Sequence, residues 1–315
     1  MSAYLLRRLV TSIIVVIGVS VLMFLLLHSV FPSPARQVLG TRVPQSTIDT
    51  WNKQNGYDDP VIVQYFRYIN NLLHGNLGFS YKENQTVTAL FKERVARSVY
   101  LSLAALILAV IIALPLGMFQ AVKRNSVADN VFTSFAFIFY SMPVFLLGLI
   151  LIQVFALTFP IFSFEASQSS SVLAVMGDFH AMTLPILTLT LTSLAAYSRY
   201  MRSSSMDVLA QDYIKVSRAK GLPERLVMTR HLLRNASLPM VTLVGLSIPI
   251  LLAGNLITEQ LFNYPGIGLL FFQSLGNEDY PVLLAYTLSG AVLVVLGNLV
   301  ADIALTVADP RIRLA

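Results

Sequence analysis

Six stretches of the chain run for at least 20 residues without Asp, Glu, Lys or Arg: Leu9–Ala35, Ser98–Val122, Asn130–Phe164, Phe179–Ser198, Asn235–Thr258 and Tyr280–Ala301. A helix rises 1.5 Å per residue, and the hydrocarbon core of a bilayer is about 30 Å thick, so a span needs about 20 apolar residues. Lipid offers the backbone no hydrogen bonds, so spans must be helices or a closed barrel. Continuous apolar runs without period-two alternation exclude the barrel. The pattern predicts an all-α polytopic membrane protein with six spans, whose cores lie near 9–30, 99–121, 132–158, 183–206, 238–258 and 281–306. Composition agrees. Only 12% of residues are charged, about half the proportion of a soluble domain, and the mean hydropathy is +0.70. A soluble enzyme and a disordered chain are both excluded. The first run follows Arg7 and Arg8 as a signal peptide would. Its apolar stretch of about 20 residues exceeds the usual signal core of 7–15, and it reads as an uncleaved helix.

The charges give an orientation. An even number of spans puts both ends on one side. On that side fall residues 1–8, the 122–131 loop, the 199–237 region and the C-terminus, with 14 of the 22 basic residues. Eight of these are in 199–237: Arg199, Arg202, Lys215, Arg218, Lys220, Arg225, Arg230 and Arg234. The opposing loops 159–182 and 259–280 hold no Lys or Arg, but do hold Glu165, Asp178, Glu259, Glu278 and Asp279. The other eight basic residues lie in 31–98, a segment long enough to weigh little in the positive-inside rule. Both termini are expected in the cytoplasm. The net charge of +6 therefore reads as orientation, not as nucleic-acid binding.

Two segments between spans carry organisation. The extracytoplasmic 31–98 has Pro32 and Pro34, turn signals at Asn55-Gly56 and Gly75-Asn76, and apolar residues Ile62, Tyr65, Phe66, Ile69, Leu72 and Leu73 at helical spacing. Val87, Leu90, Phe91 and Val95 form a second amphipathic piece leading into the second span. Spacing alone favours short helices on the outer rim over a docking surface for an external partner. In the cytoplasmic loop 207–237, Leu209, Tyr213, Val216 and Ala219 or Lys220 follow helical spacing, and Gly221-Leu222-Pro223 breaks it. Gly suits the position just past a helix, and Pro suits the first turn of the next. Apolar residues on such a helix imply a partner surface rather than a plain solvated loop.

Catalytic motifs are missing. There is no G-x-x-x-x-G-K-[ST], no H-E-x-x-H, no Cys, and no histidine cluster with ligand spacing. No metal site or cofactor is expected in this chain. No span carries a mid-membrane carboxylate with a basic partner, which an ion-driven carrier would need. Proline and polar residues at depth are the pathway candidates: Ser141-Met142-Pro143, Pro249 and Asn255, with Glu259 at the outer end of the fifth span. Asn255 leads these, because an amide in lipid needs a partner. No repeat of the whole chain is found, which weakens a carrier of two inverted halves.

Asp212-Tyr213-Ile214-Lys215-Val216-Ser217-Arg218-Ala219-Lys220-Gly221-Leu222, with His231-Leu232-Leu233-Arg234-Asn235-Ala236-Ser237-Leu238-Pro239, resembles the cytoplasmic signature of binding-protein-dependent ABC importer permeases. The likeness is strongest to the first permease subunit of the oligopeptide, dipeptide and nickel group. It runs on through Asp58-Pro60, Gly75–Ser80, Leu114–Gly117, Ser141–Pro143, Glu259–Phe262, Pro265–Gly268, Asp279–Val282 and Ala308–Arg313. Lys215 stands where the wider permease consensus is acidic, Asn76 where Asp is frequent, and Phe31-Pro32-Ser33-Pro34 replaces the usual Pro-Gly-Asp-Pro.

The resemblance implies a type I ABC importer permease fold in the bacterial inner membrane. The domain plan would be a cytoplasmic 1–8, a first span 9–30, an extracytoplasmic 31–98 and a permease core 99–315. It implies a second homologous permease, two cytoplasmic ATPases that bind the ATP and Mg, an extracytoplasmic solute-binding protein and a peptide cargo, in contact with membrane lipid. A coupling helix would dock on an ATPase through Lys215, Arg218, Ala219, Lys220, Gly221, Leu222, Pro223, Glu224 and Arg225. Nickel or metal chelates, glutathione and oligosaccharides are the alternative cargoes.

Overall fold

A computed structural model describes residues 2–31, 33–40, 42–169 and 171–308; the side chains of 2–9, 37, 248–253 and 300–308 lie outside this description. The elements in order are α1 (Ser2–Val30), α2 (Ala35–Leu39), α3 (Gln45–Asn55), α4 (Val61–Leu73), a hairpin of β1 (Phe79–Ser80) and β2 (Gln85–Thr86), α5 (Val87–Val122), α6 (Val127–Ser141), α7 (Val144–Ile152) continued by a π-helical turn 153–158, α8 (Val172–Gly177), α9 (Phe179–Leu209), α10 (Asp212–Ala219), α11 (Glu224–Leu226) continued by a π-helical turn 227–233, α12 (Arg234–Ala236), α13 (Leu238–Ala253), α14 (Leu256–Leu261), α15 (Ile267–Gly276) and α16 (Tyr280–Ala308).

Among the described residues, four helices are continuous and long enough to cross a bilayer: α1, α5, α9 and α16. The other two expected spans differ from the prediction. The run over 132–158 is two helices, α6 and the α7 segment, meeting at 107°. Pro143 cannot continue a helix, and Met142 before it is extended at ψ 127. The span expected over 238–258 stops at Ala253, because Gly254 takes φ +82, a conformation open to glycine. The chain restarts as the short α14. The second span begins earlier than expected, since the amphipathic piece at 87–95 is continuous with it in α5. The 259–280 loop, which carries no basic residue, hides an apolar helix, α15, with Ile267, Leu269 and Leu270 buried.

The bundle is organised by α5 and α9, which pack along each other in parallel. Ala105, Ala109, Ala113, Gly117 and Ala121 fall every four residues on α5, and those four alanines are at most 4% exposed. Small residues at this spacing let two backbones approach, and dispersion then holds helices together where lipid removes the hydrophobic drive. A Cβ built on Gly117 would lie 2.6 Å from Met201 Cβ and 2.8 Å from the Arg202 backbone nitrogen. Thr190 Oγ1 bonds the Ala105 carbonyl at 3.4 Å across the same seam. Helix α16 runs in the same sense as α5, its start packing on the start of α5 through Val282 and Ala285 against Val87, Leu90 and Phe91. It takes the antiparallel α1 on one side, where Phe24 and Leu27 meet Leu283 and Leu284. The rim helix α4 adds Tyr65 and Tyr68 to that cluster, while its Ile62, Phe66 and Leu73 stay exposed.

Candidate functional site

The first candidate is the elbow at 212–237. Helix α10 ends in a Schellman motif. Leu222 N–H donates to the Ser217 carbonyl at 3.3 Å and Gly221 N–H to the Arg218 carbonyl at 2.9 Å. Gly221 sits at φ +77 with nothing within 4 Å of a Cβ built on it, so the turn demands its backbone freedom, not its small size. Pro223 then opens the return arm. Arg218 Nη2 and Nε reach Glu224 Oε1 and Oε2 at 2.6 and 3.2 Å, a bidentate pair that bridges the turn. The pair holds the Arg218 guanidinium above its ordinary pKa. On the open face Lys215 donates to Asp212 at 2.9 Å and lowers that carboxyl.

The elbow has two sides. Ile214, Val227, Leu232 and Ala236 are fully buried. Leu232 and Ala236 join Met201, Ala109 and Ala113 in one apolar cluster, so the elbow stands on the α5–α9 seam. Outward face Lys215, Arg218, Ala219, Lys220, Gly221, Pro223, Glu224 and Arg225, with Leu222 half-buried. Tyr213 and Val216 of the apolar stripe are 41% and 50% exposed. Tyr213 and Val216 of the stripe therefore lie on the free surface, Leu209 packs against the cluster of Met201 and Leu232, and the inward anchor of α10 is Ile214.

The second candidate is a groove between α5, α9 and α13. Two cavities of about 220 and 400 Å3 share Leu189, Ser193 and Asn255. The α9 wall is one helical face: Leu189, Thr192, Ser193, Ala196 and Tyr197. Ser102 comes from α5 and Ser247 from α13. Val144, the residue after the α6–α7 bend, closes one end with 254–258. Asn255 Nδ2 donates to Ser102 Oγ at 2.6 Å, and Tyr197 and Ser247 share a bond of 2.7 Å. The lining is mostly apolar, its polar part is hydroxyl and amide, and its one ionisable group among the described residues is the Tyr197 phenol.

The pathway candidates divide. Asn255 lies in the groove. Ser141, Met142 and Pro143 form the bend beside it: Ser141 Oγ bonds the Phe137 carbonyl, and Met142 packs into the adjoining core. Pro249 is within α13, with its side chain outside the described residues. Glu259 is fully buried and lines neither cavity. Its Oε1 accepts from Ser98 Oγ at 2.7 Å and Asn255 N–H at 3.0 Å, and its Oε2 from Gly268 and Leu269 N–H at 2.7 and 3.2 Å. Ser98 accepts in turn from Ile267 N–H at 2.8 Å. This carboxylate binds the groove's end, at Gly254-Asn255, to the start of α15 and to α5. Ser98, Ser102, Ser193, Tyr197 and Ser247 were not singled out from sequence. The available signal was four-residue spacing of hydroxyls inside apolar runs, as in Ser98–Ser102 and Ser193–Tyr197.

The family described as "Binding-protein-dependent transport system inner membrane component" matches residues 113–314, and its N-terminal companion matches residues 1–104. The chain belongs to this permease family. Among similar proteins, the oligopeptide transport system permease protein AppB of Bacillus subtilis is 37% identical over 99% of this chain and 100% of its own length. A putative peptide permease of Brucella ovis is 35% identical over 99% of both chains. The glutathione transport system permease protein GsiC of Escherichia coli O6:H1 is 36% identical over 98% of both.

Proposed function

We propose that this permease forms half of the translocation path of an ATP-driven importer for short peptides. The observation that carries the reading is the exposed elbow standing on the two helices that wall the groove. A push on Gly221 reaches α5 and α9 through Leu232, Ala236 and Met201. The chain has no nucleotide-binding motif, so the energy enters through partners: two cytoplasmic ATPases that bind ATP and Mg and dock at Lys215–Arg225. A second homologous permease closes the groove. An extracytoplasmic binding protein delivers cargo at the rim, where α4 exposes Ile62, Phe66 and Leu73. The 14 basic residues grouped on one side support placing both termini in the cytoplasm of a bacterium.

The relatives named for oligopeptide and peptide permeases favour a peptide cargo. The alternative for the same machinery is nickel or metal chelates, glutathione or oligosaccharides, and the relative named for glutathione transport fits that alternative. A self-contained carrier or channel is disfavoured because, among the described residues, the groove holds no carboxylate to bind a driving ion. The test is reconstitution in proteoliposomes with and without the ATPases and binding protein. Labelled di- and oligopeptides should enter only with the complete set and ATP. Flux through the chain alone would overturn the reading.

A further inference from the structure

Asp129 opens the first turn of α6, and Arg202 lies 73 residues on, near the end of α9. Arg202 Nε and Nη2 donate to Asp129 Oδ1 and Oδ2 at 2.8 and 2.7 Å, the planar two-point pairing that Lys cannot reproduce. Asp129 is 1% exposed. Its remaining acceptor sites take Asn125 N–H at 3.0 Å and Thr133 Oγ1 at 3.3 Å. Thr133 accepts from Gln120 Nε2 of α5 at 3.2 Å. One turn earlier, Gly117 lies against Met201 and Arg202 with no room for a Cβ. Three helices are therefore joined at one level, directly beneath the elbow, whose Leu232 packs with Met201.

We infer that Asp129 and Arg202 are a positioning pair that makes the elbow ends of α5, α6 and α9 one lever. This rests on the proposal that ATPases act at the elbow. A buried ion pair is poor evidence for added stability, because desolvation cancels much of its attraction. What the geometry provides is register. Without the pair, α9 is free to turn about the α5 seam, and a push on the elbow is spent there before it reaches Ser193 and Asn255. The pair touches neither the groove nor the exposed elbow face.

The experiment uses the complete transporter in proteoliposomes, measuring ATP hydrolysis and peptide uptake in the same sample. Asp129→Asn keeps the side-chain shape and Arg202→Lys keeps the charge. Each is expected to raise the ATP hydrolysed per peptide imported by about tenfold, within the range by which intervening residues tune coupling. The two changes combined should do little more than either alone, because they break one interaction. If uptake and hydrolysis fall in the same proportion, or the ratio stays within about twofold of wild type, the pair is merely structural and the inference is wrong. Co-purification of the ATPases with the wild-type chain is the separate control. Its failure sinks the proposed function instead.

Discussion

Glu259 allows a prediction worked from geometry. An ionised carboxylate is acceptor-only, and here four donors at 2.7–3.2 Å converge on two oxygens. Glu259→Gln keeps the shape but supplies one acceptor oxygen and two N–H donors. If the new amide nitrogen faces Gly268 and Leu269, two buried backbone N–H groups meet another N–H group. If it faces the other way, Asn255 N–H loses its acceptor, and Ser98, which already accepts from Ile267 N–H, must reorient. The cheaper arrangement still leaves one buried N–H unmatched, at about 1–3 kcal/mol, and weakens the bonds that were charge-assisted. The sum is about 2–4 kcal/mol. For a chain of 315 residues that lowers the unfolding midpoint by roughly 3–6 °C. The assay is loss of helical circular dichroism on heating the full-length chain in detergent. Ser98→Ala should cost a similar amount, and the double variant less than the sum, because the sites share one network. A Glu259→Gln midpoint within about 1 °C of wild type would refute the reasoning, since no unsatisfied donor could then have been created.

Gly221→Pro should leave membrane insertion intact and abolish uptake, because Pro requires φ near −65° and Gly221 holds φ +77 with its N–H bonded to Arg218; uptake into whole cells at matched membrane levels tests it. Reversing Arg225 should weaken ATPase co-purification in a salt-dependent way without loosening the elbow, whereas reversing Arg218 should do both, since among the described residues Arg218 is the one of the two that pairs across the turn. Gly117→Val should force α5 from α9 and destabilise by about 1–3 kcal/mol or more, read on the same melting assay. Asn255→Leu should reduce uptake while the ATPases still co-purify, because Asn255 lies in the groove and not on the elbow. Burial pushes the Asp279 carboxyl up, and the Ser80 hydroxyl draws it part of the way back. A raised acid is protonated more readily in the folded state, so its contribution is fullest below the ordinary carboxylate range and is lost as pH rises through the folded pKa. Asp279→Asn should flatten that pH dependence of the midpoint.

What could be read from the sequence was set by one-dimensional signals. Charge-free runs located α1, α5, α9 and α16, because hydrophobic length needs no tertiary partner to be seen. Gly221-Leu222-Pro223 located the elbow, because a helix stop and start are local chemistry. The breaks at Met142-Pro143 and Gly254 were visible as residues but not as geometry. A proline deep in an apolar run fits either a kinked span or two helices at 107°. Helix α15 escaped notice because its ten residues are too few to span and sit in a loop read only for charge. Glu259 looked like a pathway residue from its depth; its partners Ser98, Gly268 and Leu269 are up to 161 residues away in sequence, and no local pattern brings them together. The α5 ladder of Ala105 to Ala121 was legible in principle, though it says nothing of which helix it meets.

The neutral lining of the groove has an electrical consequence. With no fixed charge in the walls described, this chain's groove adds no charge of its own, and membrane voltage acts there on the cargo. Each elementary charge carried across 100 mV changes the work by about 2.3 kcal/mol. With the interior negative, a peptide with one extra lysine is drawn inward, and a peptide with one extra aspartate must be driven uphill by the same amount. A path built this way accepts both, but the load on its motor varies with the sign of each peptide it carries.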